Sequence, residues 1–461
     1  MDDLTRRGLL RVGTAGVAAL AVPSGPTFAQ ATVPKRGGTV VLATEQAPPS
    51  LDAQITSAQA ARNINLHMYE TLYARDENAQ PVPDLAQGVQ ISKDALTYAF
   101  TLRPGVHFHN GKMMGASDVV ASLERYRKVG ASPALLGAVD RIEASGPLEV
   151  TIRLTRGQSS FIDSISSPRA PIAIYPAEEA GKPLKDFAYV GTGPFKFGEY
   201  APDSHVTLQR FDGYTPNPDY TKRDGFAGRK EVFVDAGTWR FMPESGARLA
   251  ALETGEATIV ETVNGPQAKQ LTGKPAYDVL KVLPFLLQVF KFNHAMAPCD
   301  DPNFRRAVAA CLNLEETMAI AHPDIYELDG GWVFPNSPYH TKDGLDQYNQ
   351  NDPAKAKALL AKSSYKGEKL VFIVDNSGSD ADTATDITQQ LGQIGVTIDL
   401  RVADWPTVSK IGAGPSGWHF WTHGFGIEPY EGPATVMGVW VNGLSQQKDD
   451  KLIDKLFADF E

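Results

Sequence analysis

Early in the chain, apolar positions recur at every second residue. Thr97-Tyr98-Ala99-Phe100-Thr101-Leu102 alternates as a half-buried strand does, and Pro104-Gly105 and Asn110-Gly111 punctuate the following residues as turns. The period then changes. Val119, Val120, Leu123 and Tyr126 fall three or four apart, which predicts a helix with Ser117 as its cap and Asp118 in its first turn. Upstream, Thr39 to Ala43 reads as a strand that ends in the polar, proline-bearing loop Thr44-Glu45-Gln46-Ala47-Pro48-Pro49, a common way to present side chains at a cleft.

Farther along, strand and helix patterns alternate. Val206 to Phe211, Glu231 to Asp235 and Trp239 to Phe241 read as strands, Ser245 to Thr254 as a helix, and Thr258-Ile259 closes that unit. Val279 to Phe292 reads as a strand because Pro284 interrupts it and aromatics dominate its end. Pro302 opens a helix, and Asp352-Pro353 caps another. Strands at Leu370 to Val374 and Val396 to Val402 flank a helix at Thr383 to Ile394, so the second half is an α/β body. Gly191-x-Gly193 lacks the third glycine and the Gly-Lys-Ser/Thr of a phosphate loop, which leaves turn geometry as its role.

Composition removes several classes. Arg6-Arg7, the short apolar run Val12 to Val22 and Ala29-Gln30-Ala31 fit a twin-arginine export signal over 1–31, cleaved before Thr32. That run is too short for a hydrocarbon core of ~30 Å. A net charge of -10 offers no basic patch, so nucleic acid is not expected as a partner. Cys299 and Cys311 are the only cysteines. A helix from Pro302 would place Cys311 roughly 12 Å along its axis, which predicts two separate thiols. His107 and His109 share a strand face, but no third ligand stands near, so no metal is expected. No Gly-x-Ser-x-Gly, His-Glu-x-x-His or Walker A pattern occurs, and no cofactor or enzyme activity is expected.

One ordered run carries a resemblance. Tyr69-Glu70-Thr71-Leu72, Val82 to Ala86, Tyr98 to Phe100, Leu102 to Gly111 and Asp118 to Val120 resemble, in order, the solute-binding proteins of peptide and nickel type ABC importers, family 5. The likeness continues through Val190 to Phe197, Leu252 to Ile259, Arg305 to Asn313 and onward to Leu456. It implies a two-lobed periplasmic binding protein fold of class α/β with an extra subdomain in the first lobe. By that likeness 32–55 and 190–289 form the core of lobe I, 56–189 the subdomain and 290–461 lobe II. Relatives continue further and return to the first lobe, so the resemblance implies that this sequence is a fragment.

What it implies functionally is a periplasmic monomer that captures a small peptide-like or amine-bearing solute by cleft closure and hands it to a membrane permease. A nickel chelate, another non-peptide solute or a periplasmic hydrolase are the alternatives. Glu45 and Gln46 stand in the loop that touches ligand in the family, and Trp405 follows a strand at a position that often faces the cleft. Glu428 takes the place of the aspartate that pairs with a peptide amino terminus, and Trp421, His423 and Phe425 precede it. Trp418 and Trp421 on one strand would face opposite ways, so only one is expected to point at ligand. Arg169 is a candidate anchor for a ligand carboxylate, since a guanidinium pairs in bidentate fashion.

Overall fold

A computed structural model describes residues 34–282, 287–323, 325–331, 333–335, 340–376, 378–425, 451–452 and 455. Three large sheets organise them. The first part of the chain carries β1 (Thr39–Thr44), α1 (Gln59–Asn65), β2 (Ala86–Ile91), β3 (Thr97–Leu102), α2 (Ala116–Val129), β4 (Val139–Gly146) and β5 (Glu149–Leu154). It continues with β6 (Phe195–Ala201), β7 (His205–Arg210), β8 (Ala236–Phe241), α3 (Ser245–Glu253), β9 (Ile259–Val260) and α4 (Gly265–Leu271). These residues are called lobe I below.

Within lobe I, β2, β3, β5 and β4 form one antiparallel sheet. The alternation seen in sequence holds: Tyr98, Phe100 and Leu102 point inward and pack against Val119, Leu123 and Tyr126 of α2. Ser117 is not the cap of α2. Gly115 precedes the helix, and the Asp118 carboxylate reaches back to accept its N–H at 3.0 Å, which satisfies one of the otherwise unpaired amides there. The other sheet has the order β9, β1, β8, β7, β6, with β1 parallel to β8 and β9.

Glu231 to Asp235 does not form a strand. Asp235 instead spends its carboxylate on the Gly38 N–H at 3.0 Å and on Arg210 at 2.9 Å, and regular pairing begins only at Ala236. Gly191 and Gly193 are packing glycines, as a side chain on Gly193 would stand 2.6 Å from the His67 carbonyl oxygen. His109 is built into the same turn, donating from Nε2 to the Gly193 carbonyl at 3.0 Å and accepting the Gly191 N–H on Nδ1 at 3.1 Å. With burial pushing its pKa down to about 4, it is a neutral structural histidine.

The second part, lobe II, contains β10 (Leu287–Phe292), α5 (Pro302–Cys311), α6 (Leu314–Ala321), α7 (Pro353–Leu360), β11 (Leu370–Asp375), α8 (Gly378–Gln393), β12 (Ile398–Ala403), α9 (Trp405–Gly412) and β13 (Phe420–Phe425). Of the predicted strand at 279–292, only Leu287–Phe292 pairs; 279–282 lie outside any sheet and 283–286 are not among the described residues. Asp301, Asp352 and Asp404 cap α5, α7 and α9 by accepting the N–H of Asn303, Lys355 and Thr407 at 2.8, 2.9 and 2.9 Å. The sheet order is β10, β13, β11, β12, with β11 parallel to both its neighbours and β10 antiparallel to β13. Its central strand, Leu-Val-Phe-Ile-Val-Asp, is apolar almost throughout because both faces are covered.

On one face Phe290, Phe292, Phe372 and Phe420 pack against Phe304 and Val308 of α5 and Ile387 and Leu391 of α8. On the other, Ile373 and Trp421 pack against Val408 and Ile411 of α9. Cys299 and Cys311 are separate, buried thiols. Among the described residues no helix is long and apolar enough to cross a membrane.

Candidate functional site

In both lobes the parallel strands end toward the chain's crossing. Lobe I is left after β9, whose carboxyl end lies beside those of β1 and β8. Lobe II is entered at Leu287, the start of β10; because β10 runs antiparallel, that residue pairs with Phe425 at the carboxyl end of β13. The crossing therefore joins the carboxyl edges of two α/β sheets, where ligands of such sheets bind.

The lobe I edge presents Glu45 and Gln46, both exposed, on the loop after β1. That loop is firmly seated. Asp52, fully buried, pairs with Arg125 and accepts the Tyr175 hydroxyl at 2.9 Å, while Gln54 donates to the Ala173 and Ser122 carbonyls at 2.8 and 3.1 Å.

On lobe II the edge is a polar cluster. Gln288 at the start of β10 donates to Asp380 in the first turn of α8 at 2.8 Å and to the Thr422 hydroxyl at 3.1 Å. Asp375 ends β11 and is buried. His423 packs its ring 4.6 Å from that of Trp421, with Nδ1 facing the Gly424 carbonyl at 2.8 Å. Burial, with Lys291 adding to it, pushes His423 down to about 4, so it is neutral at physiological pH.

Deeper on the same face stands Lys291. Its side chain is 1% exposed, its Nζ sits 3.5 Å from the centre of the Trp421 ring, and it has no hydrogen-bond acceptor among the described residues. Burial pushes it down to about 7. The Trp421 ring lies against the backbone of Gly412, where any side chain would collide with it.

A separate recess lies in lobe I, lined by Glu70, Asp84, Lys230, Ser166, Pro168 and Phe226 among others. Its charges serve each other. Lys230 Nζ reaches Glu70 Oε1 and Asp84 Oδ2, both at 3.1 Å, and Tyr214 donates to Glu70 at 2.9 Å. Burial pushes Asp84 up to about 6 against the pull of Lys230. Glu70 and Asp84 are buried, so this is a charged core element of lobe I.

The family model of bacterial extracellular solute-binding proteins, family 5 (middle region), matches residues 80–442. The chain belongs to that family. A probable peptide ABC transporter periplasmic-binding protein, y4tO, of Sinorhizobium fredii is 28% identical over 87% of this chain and 77% of its own length. The glutathione-binding protein GsiB of Pectobacterium atrosepticum is 29% identical over 77% of this chain and 67% of its own. In structure, the chain is similar to NikA of Brucella suis, solved with Fe(III)-EDTA, at a TM-score of 0.74 and 20% identity, covering 92% of this chain and 91% of that one. The family 5 fold, two lobes of mixed α/β structure, is thus the fold of this chain.

In this family 5 protein the residues singled out from sequence fall in different places. Trp421 and His423 stand together on β13, and Phe425 ends that strand opposite Leu287. Trp405 opens α9 directly after the Asp404 cap. Glu45 and Gln46 hold the lobe I edge. The segment of Arg169, through Pro168 and Pro171, walls the lobe I recess. Glu428 lies outside the described residues.

Trp418 precedes β13 rather than lying in it, so the expected opposition of the two tryptophans does not hold. Both are buried in one cluster, edge to face at 6.0 Å. Lys291, Gln288, Asp375 and Asp380 were not anticipated. One signal was present for Lys291: it takes an inward position, two residues from buried Val289, in a strand whose other residues, Gln288 apart, are apolar. Among the described residues no group of three or more His, Cys, Asp or Glu side chains could hold a metal ion.

Proposed function

We propose that this chain is the solute-capturing subunit of an ABC importer, exported to the periplasm with residues 1–31 removed, and that its solute is a small peptide or peptide-like amine. The observation that carries the reading is family membership joined to two relatives whose names specify a peptide transporter and glutathione, itself a peptide. Solute enters between the sheet edges, meets Glu45 and Gln46 from lobe I and the Trp405, His423, Phe425 and Glu428 region from lobe II, and favours the closed form because it touches both. A ligand shifts such an equilibrium only by binding one state better than the other. The closed monomer then docks on a membrane permease, and no bond in the solute is made or broken.

Native mass spectrometry of the protein released from periplasm tests this. The expected result is a retained peptide of a few residues at one per chain. A retained metal chelate, the kind of ligand held by the NikA structure, would replace the peptide reading, and a solute recovered chemically altered would contradict a binder.

A further inference from the structure

The segment between the lobes begins under a single buried guanidinium. Arg248 of α3 is buried, and its Nη1 donates to the Met242 and Pro243 carbonyls, each at 2.7 Å, just past the end of β8. Its Nε and Nη2 donate to the Glu261 and Thr262 carbonyls at 3.1 and 2.9 Å, just past the end of β9. Four carbonyls from the two strands that flank β1 thus share one planar cation, whose rigid fork fixes both angles at once. Thr262 takes a left-handed backbone, φ 54°, at the point where the chain turns away.

Further ties follow on the lobe I side. The Glu261 N–H donates to the Ala43 carbonyl of β1 at 3.0 Å, and Asn63 of α1 donates to the Glu261 carboxylate at 3.0 Å. Asn264 caps α4, and Gln267 of that helix donates to Ser245 of α3 at 3.4 Å. Leu271, at the end of α4, is buried. Beyond it the character changes: hydrogen bonds from Lys274 and Tyr277 are local, and Leu280 and Val282 are 86% and 67% exposed. Sheet pairing resumes at Leu287.

We propose that Arg248 is the positioning residue of the hinge: it holds the departure point of the crossing rigidly to the lobe I sheet, so that closure bends the chain beyond α4. This rests on the reading of the chain as a solute binder that closes. Hinges are short stretches that absorb the backbone change. Arg248 touches no solute. It keeps the lobe I edge and the start of the crossing in one geometry, so that closing does not have to order them.

Dyes at Lys93→Cys and Lys357→Cys, one in each lobe, report the inter-lobe distance distribution by single-molecule energy transfer; the native thiols are buried and will not label. Arg248→Met is expected to broaden the solute-free distribution while the protein still melts cooperatively, and to weaken binding of the peptide recovered from the periplasm by about tenfold, as the competent fraction falls. Arg248→Lys, which keeps the charge but loses the fork, should fall between the two. A folded Arg248→Met protein with the wild-type distribution overturns the proposal. If that variant does not fold, Arg248→Lys is read the same way, and an unchanged distribution there overturns it. The solute-free distribution assumes nothing about the solute, so a wild-type protein that contracts with no peptide would sink the proposed function separately.

Discussion

Replacing Lys291 by methionine should stabilise the protein, and by an amount that depends on pH. The ammonium is buried without an acceptor among the described residues, and burial lowers its pKa from an ordinary 10.5 to about 7. Carrying the charge in the fold below pH 7 therefore costs about 5 kcal/mol relative to the unfolded chain, at 1.36 kcal/mol per tenfold change in proton affinity. The Trp421 face offsets part of this, since a desolvated ammonium on an indole gains about 2 kcal/mol. Methionine keeps the length and apolar stem and carries no charge. The net gain expected is about 2–3 kcal/mol below pH 7.

The sign follows from the lowered pKa. Between pH 7 and 10.5 the unfolded lysine holds a proton that the folded one has released, so wild-type stability rises with pH across that window. The advantage of Lys291→Met is thus full below pH 7 and shrinks as pH approaches 10.5. Urea unfolding of both proteins at pH 6, 8 and 9.5 measures it. A variant less stable than wild type at pH 6, or a gap that does not change with pH, would show that Lys291 is held by an anion and that the orphaned-cation argument is wrong.

Lys230→Met should cost about 3–5 kcal/mol at pH 8 by stranding two buried carboxylates, and less at pH 5, where Asp84, already pushed up to about 6, takes a proton. Equal losses at both pH values in urea melts would refute this. Gly412→Ala forces a methyl group into the Trp421 ring; despite alanine's better helix propensity, it should lower stability by about 1–3 kcal/mol, checked by thermal melting against wild type. Cys299, its thiol pushed up to about 12 by burial, and Cys311 should ignore Ellman's reagent in the native protein and yield two thiols in urea without reductant. A bridged pair would yield none.

Where local chemistry decides structure, the sequence is a good guide. Asp-Pro pairs at 301–302 and 352–353 start helices because the carboxylate accepts an orphan amide and proline needs none there. The alternation of Tyr98, Phe100 and Leu102 survives because one sheet face meets α2. Where distant partners decide, the reading slips. Asp235 was counted in a strand, but it is drawn aside by Gly38 and Arg210, neither of them close in sequence. Trp418 was placed on a strand that begins two residues later.

The site divides in the same way. Trp421, His423 and Phe425 stood out as an aromatic run, yet their surroundings come from β10, more than a hundred residues earlier. That pairing sets Lys291 beside Trp421 and Gln288 beside Gly424 and Thr422. Asp375 and Asp380 come to the edge only because β11 ends and α8 begins there. The segment of Arg169, a candidate on chemical grounds, walls a recess built around Glu70, Asp84 and Lys230.

The central claim is that the two lobes close on a peptide-like solute. Small-angle X-ray scattering of the protein, stripped of bound material and then supplied with the peptide recovered from it, tests this most directly. The account predicts a smaller radius of gyration with peptide, saturating at one peptide per chain. Stoichiometric binding with an unchanged scattering curve would contradict closure as the means of capture.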